Sequence, residues 1–410
     1  METLMKSDVF LVIIVALGLI VQRKNFRSIV VSLIKVSMGY SIINFGSSIA
    51  KNSLSVLSLI IRRSVHAFDI IPNNETMVSI IGNSDGKIVF FIMIIAMLVN
   101  IIICKFTRIK YIFLNGYYIF YMAGMMAILI NNKNSKIFIM LAGAYLGIFM
   151  SILPFITSIF IKRISKRDDI GLAHFGSFAC IIGGICALIF KKREEIKKEK
   201  NKISFMRDSS VLMAVSMFVI YLLAVINVDK GFLNDFTGET DKLYIAFKYS
   251  INFTVSFYLI VLGVRMMTDE ILYSFKGIAE KIISDAKPAL DAAVFFVYKP
   301  EMIIIGFICS LLAGIITLLI QIKLKTTIVV PAVTAHLFSG GTASIFGYSV
   351  SGRRGAVLSS FVHGVIISVL PIFLLPILKP NIGLMRTCYA DSDFSILAMI
   401  FNSIMKLFFQ

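Results

Sequence analysis

The amino-acid sequence predicts an all-α polytopic membrane protein, and three observations predict it. Hydrophobic residues make up 58% of the 410 and charged residues 16%, against about 45–50% and 25% in soluble domains. Apolar runs recur along the whole chain, many close to the roughly 20 residues that a straight helix needs to cross the hydrocarbon core. Basic residues gather in short loops at the ends of those runs, where lysine and arginine set orientation. The formal charge of +18 therefore reads as membrane topology, with no nucleic-acid partner. A mean hydropathy of +0.89 agrees.

The elements follow in order. Asp8 to Gln22 is read as a retained first helix, because "RKNFR" follows it where a signal peptide would carry small residues for cleavage. Ser28 to Ala50 sets Lys35 among apolar residues at helical spacing, which marks a tilted or interfacial helix. Full-length spans are expected at Ile88 to Cys104, Ile112 to Ile130 and Ile137 to Ile161. A shorter apolar segment, 173–190, closes a first half, 1–190. "KKREEIKKEKNK" then opens a basic cytoplasmic linker, 191–208. The second half, 209–410, offers Val211 to Val228, Ser250 to Met267, Met302 to Ile320, Gly355 to Leu378 and Phe394 to Phe409, with an amphipathic Ile271 to Ile283 between. The loops "KFTRIK" and "KRISKRDD" are basic and expected inside, whereas "DIIPNNET" and "NDFTGETD" are acidic or neutral and expected outside.

Two stretches break the pattern. "AHFGSFA" at 173 and "AHLFSGGTA" at 335 each place Ala-His and small residues inside a short apolar segment. Gly39 and Gly263 each open an amphipathic continuation after a helix, a second echo between the halves. Such pairs are the mark of a duplicated transporter with broken helices. Small residues permit close backbone approach or a break, and a break at membrane depth is tolerated only where buried protein or a wet cavity satisfies the freed amides. His174 and His336 stand in those breaks. Neutral imidazole donates and accepts, which suits a hydroxyl-rich solute, although a core histidine bonded to a carbonyl would look the same.

Asp291 in "PALDAAVFF" either accepts solute hydroxyls or caps a helix three residues after Pro288. Tyr117 and Tyr121 share one helical face, as a wall for a solute or as interfacial anchors. Arg265, Asp269 and Glu270 read as structural ion pairing, "GRR" at 352 as a cytoplasmic stop or acidic-partner dock, and His66 and His363 as isolated structural residues. Four of the five cysteines, Cys104, Cys180, Cys186 and Cys309, lie in apolar runs without metal-ligand spacing, so no metal is expected. The chain has no GxxxxGK[ST] loop, so an ATP-driven pump is not expected.

In order along the chain, "LGLIVQRKNFRSIVVSLIKVSMGY", "NGYYIFYMAG", "AHFGSFA", "GVRMMTDEILYSFKGIAEKI", "ALDAA", "VVPAVTAHLFSGGTASIFG" and "DFSILAMIF" resemble the membrane subunit, IIC, of the ascorbate type of bacterial phosphotransferase system. The resemblance implies a homodimeric permease of the bacterial cytoplasmic membrane with about eleven transmembrane segments in two inverted repeats. Each subunit would have a V-shaped dimerisation part and an elevator-type core with re-entrant hairpins. It also implies uptake of a sugar, sugar acid or polyol, phosphorylated by a cytosolic IIB protein charged through IIA. No phosphoryl-carrying residue and no cofactor are implied in this chain. His174 and Asp291 match the family's site, with His336 on the second hairpin. Tyr117, Tyr121 and Phe175 stand where ascorbate permeases tend to carry histidine and glutamine, which changes what such a pocket can read. An ion-gradient-driven transporter of the same architecture is the alternative, but coupling of that kind usually needs several carboxylates in the spans.

Overall fold

Hydrocarbon leaves no water for backbone groups, so helices dominate wherever the chain is apolar. The computed structural model describes residues 7–65, 70–72, 74, 77, 86–130, 136–190, 209–281, 283, 285–382 and 387–409. Its helices are α1 (Ser7–Val21), α2 (Phe26–Val65), α3 (Gly86–Phe106), α4 (Gly116–Ile130), α5 (Lys136–Ser165), α6 (Ser177–Cys186), α7 (Ser209–Val225), α8 (Lys230–Thr237), α9 (Lys242–Lys281), α10 (Pro300–Lys323), α11 (Val333–Ile382) and α12 (Ser392–Phe409). Among the described residues three stretches, Lys136–Ser165, Pro300–Lys323 and Thr334–Pro380, are long and apolar enough to cross a membrane. Phe91–Phe106, Tyr118–Ile130 and Ser177–Ile189 are shorter apolar helices. The linker beginning "KKREEIKKEKNK", His66 and most of "DIIPNNET" lie outside the described residues.

Four expectations are corrected. Ser250 to Met267 and the following run from Ile271 as far as Lys281 form one continuous helix, α9, because no glycine or proline interrupts the junction. At 40 residues each, α2 and α9 are about 60 Å long, twice the hydrocarbon thickness. They pack together and are joined by Lys35 Nζ to Glu270 Oε1 at 2.7 Å. Burial raises the Glu270 carboxyl, but hydrogen bonds from Lys35 and Ser32 outweigh it and hold the group below its usual range. The side chain of Arg265 lies outside the described residues. The second correction concerns "NDFTGETD", which holds the end of α8, capped by Asp229 at the start and by left-handed Gly238 (φ 69°) at the end.

Third, the Ile112 to Ile130 run begins as a strand. Among the described residues five short strands join the helices: β1 (Ile71–Pro72), β2 (Tyr111–Phe113), β3 (Gly171–Leu172), β4 (Lys287–Leu290) and β5 (Thr387–Cys388). A parallel sheet runs β2-β4-β3, and β1 pairs with β5. The sheet answers the accounting problem of broken helices. The chain leading into α4, into α6 and into the 3-10 helix Ala292–Tyr298 is extended, and the three stretches satisfy one another's amides. Leu114 N reaches Ala289 O at 2.9 Å and Ala173 N reaches Leu290 O at 2.7 Å. Asn100, buried on α3, closes the outer edge by bonding both Tyr111 O (3.0 Å) and Phe113 N (3.0 Å).

Fourth, the chain around Gly355 to Leu378 belongs to a hairpin. Helix α11 turns back at Ser351 and Gly352, whose φ of 67° and ψ of −151° suit glycine alone. A Cβ at Gly347 would strike the carbonyl of Gly355 across the bend. Ser359 Oγ reaches Ala343 O at 2.7 Å, further along the paired arms. The "GRR" arginines, Arg353 and Arg354, are exposed beside this bend.

Candidate functional site

Sheet β2-β4-β3 delivers two sequence-predicted residues to one place. Ala173 is held by Leu290 on one side and by Asn115 Nδ2 (3.1 Å) on the other, which fixes the backbone of His174 before α6 begins. Asp291 follows β4 directly and caps the 3-10 helix through Ala292 N at 2.6 Å. His174 Nδ1 and Asp291 Oδ1 stand 3.6 Å apart, too far for a hydrogen bond and close enough for a shared ligand. The histidine is 1% exposed and the aspartate side chain 43%. Asp291 thus takes the capping role, and its carboxylate keeps an open edge.

The other side of His174 enters a buried polar chain. Nε2 lies 2.8 Å from Ser339 Oγ on the first arm of α11. Ser339 bonds Asp391 Oδ1, and Asp391 Oδ2 accepts from Asn74 Nδ2 at 2.9 Å. Two residues on, Asp393 accepts from the amides of Ser177 (2.9 Å) and Phe178 (2.8 Å), so its carboxylate caps the N-terminus of α6. Ser392 Oγ takes the amide of Ala179. Just beyond α6, Ser351 Oγ lies within hydrogen-bond distance of both Ala187 O (2.5 Å) and Phe190 O (2.8 Å).

His336 is fully buried and bonds away from this pair, through Nδ1 to Ser310 Oγ at 2.8 Å. His363, expected to stand alone, shares the same hydroxyl at 2.9 Å. One hydroxyl proton serves only one of two imidazoles, so one ring donates from Nδ1 and the other accepts there. The Nε2 atoms of both have no hydrogen-bond partner. A Cβ at Gly314 would lie 2.7 Å from His336 Nε2, so only glycine leaves that ring its room.

The aromatic residues sort differently from one another. Tyr118, which the sequence reading passed over, meets the His174 ring edge-on at 4.7 Å. Phe175 is buried between Phe113 (5.3 Å) and Phe394 (5.6 Å) and packs the floor behind His174. Tyr121 is buried and its carbonyl accepts from Tyr389 Oη at 3.2 Å. Tyr117 lies on α4, its side chain outside the described residues. Grooves of about 490 Å³, at Arg27, Lys35 and Glu270, and about 600 Å³, at Ile251, Tyr258 and Leu262, involve none of these residues.

Broken helices that bring buried histidines and carboxylates together inside an apolar helical body define a membrane permease. The family of the sugar-specific permease component of the PTS system, EIIC-GAT, matches residues 3–403, and the chain belongs to it. It is also 19% identical over 298 residues to the ascorbate-specific PTS system EIIC component of Mycoplasma pneumoniae (strain ATCC 29342 / M129 / Subtype 1), covering 65% of this chain. The chain spans 45% of that relative's length.

Proposed function

We propose that this chain is the IIC permease of a phosphoenolpyruvate-dependent phosphotransferase system that imports a small sugar, sugar acid or polyol. A separate IIB protein, recharged by IIA, phosphorylates the solute as it is delivered. The observation that carries the reading is the His174–Asp291 pair, 3.6 Å apart, at a break in the helices of a chain from the EIIC family. A homodimer in the bacterial cytoplasmic membrane, two inverted halves (1–190 and 209–410) joined by 191–208, and an elevator-type motion of the core belong to the same proposal. The pair would hold solute hydroxyls, with His336 supporting the second hairpin and Tyr117, Tyr121 and Phe175 shaping the wall. The ascorbate specificity of the Mycoplasma relative is not part of the proposal, because Tyr117, Tyr121 and Phe175 change what the pocket would read.

The test is uptake into vesicles. With phosphoenolpyruvate and the partner proteins supplied, solute should accumulate phosphorylated, and a protonophore should leave uptake intact. Accumulation of unmodified solute that stops with the protonophore would establish an ion-driven transporter instead.

A further inference from the structure

We propose that the groove between α2 and α9 holds the headgroup of a phospholipid that carries both a phosphate and a primary ammonium, phosphatidylethanolamine. The inference needs only the bilayer; neither the solute nor its energy source enters it. The groove, of about 490 Å³, opens beside the basic turn that follows the apolar α1, the level at which headgroups lie. Lys24 Nζ stands 4.7 Å from the centre of the Tyr273 ring, and Gln22 Nε2 donates to Tyr273 O at 2.8 Å, so the turn is fastened to α9.

Four charged side chains line the groove, two of each sign: Arg27 and Lys35 from α2, Asp269 and Glu270 from α9. One pair is already matched. Lys35 Nζ holds Glu270 Oε1 at 2.7 Å, and Ser32 Oγ donates to Oε2 at 2.6 Å. Arg27 and Asp269 remain, both exposed, and among the described residues neither makes a hydrogen bond or an ion pair. They line one groove without pairing with each other. An occupant of single charge, of either sign, leaves one of them unanswered. A zwitterion answers both, with its phosphate at the guanidinium and its ammonium at the carboxylate.

A second observation points to a lipid as the carrier of that headgroup. Val31 lines the groove, and Ile34 and Met38 continue its face along α2 at helical spacing; the three are 44%, 53% and 49% exposed. This apolar stripe starts at a charged groove and gives acyl chains a bed beside the headgroup.

Native mass spectrometry of the purified full chain reads the headgroup, using matched acyl chains on phosphatidylethanolamine, its mono-, di- and trimethylated derivatives and phosphatidylglycerol. The ethanolamine lipid should bind about threefold or more tighter than the trimethylated or glycerol lipid, and affinity should fall as methyl groups replace the ammonium protons. Asp269→Asn should erase the preference over phosphatidylglycerol. Arg27→Gln should weaken all of the lipids together, since each carries the phosphate. Both variants should keep the wild-type unfolding temperature in lipid-free detergent, and the wild-type series stands without them. Equal binding of all the lipids, or a preference that survives Asp269→Asn, overturns the inference. Glycerophosphoethanolamine that displaces the lipid at equal concentration would assign the groove to a soluble ligand, and lipid carried by monomers but lost from dimers would assign it to a second copy of the chain; either result overturns it too.

Discussion

At the scale of single residues, the buried carboxylate of Asp393 has the clearest energetic role. It is the acceptor for two amides that open α6, inside protein where no water replaces it. A buried amide left without its acceptor costs about 1–3 kcal/mol. Asp393→Ala should therefore lower the unfolding temperature measurably, and Asp393→Asn, which keeps one oxygen acceptor, should lower it by less. Identical unfolding temperatures in all three proteins would mean that the cap contributes nothing. The histidine and aspartate at 174 and 291 were legible in the sequence because a charge or an imidazole stands out in an apolar run. Ser339 and Ser310 were not, since serine is common in membrane helices and only the distance to a partner gives it a role. Asp391 and Asp393 were readable in principle: "YADSD" puts two carboxylates at the head of an apolar helix.

At the scale of elements, the long helices were legible from their apolar period and the strands were not. A strand of two to four residues, such as β3 or β4, is too short to show alternation, and its partner lies more than a hundred positions away. The α11 hairpin hid for a related reason. Its two arms read as apolar helix, and only the backbone angles of Gly352 reveal the reversal. The close approach of Gly347 to Gly355 fixes the bend tightly. Gly347→Val should force the arms apart and remove Ser351 from the turn at Ala187 and Phe190, so that the variant is lost or destabilised by about 2 kcal/mol or more. The same change at Gly238, with nothing within 4 Å of its Cβ, meets no clash and only the strain of its positive φ. A Gly347→Val protein as stable as the wild type would show that the arms are not packed in this way.

At the scale of the whole molecule, charge distribution sets the expected orientation. The lysine run at 191–202 is the densest in the chain, while 229–246 carries several acids. A cysteine placed at Lys197 should resist a membrane-impermeant reagent applied outside the cell and react once the membrane is opened. Reaction from outside would invert the topology.

The start of α6 also imposes an order on biosynthesis. Its first amides wait for Asp393, 216 residues downstream of Ser177. At about 5–20 residues per second the ribosome needs roughly 10–40 s to supply that partner. Throughout that interval those amides lack the carboxylate that caps them, and hydrocarbon offers no substitute. Helix α6 is therefore completed late: its cap arrives only when the carboxyl end of the chain has been made.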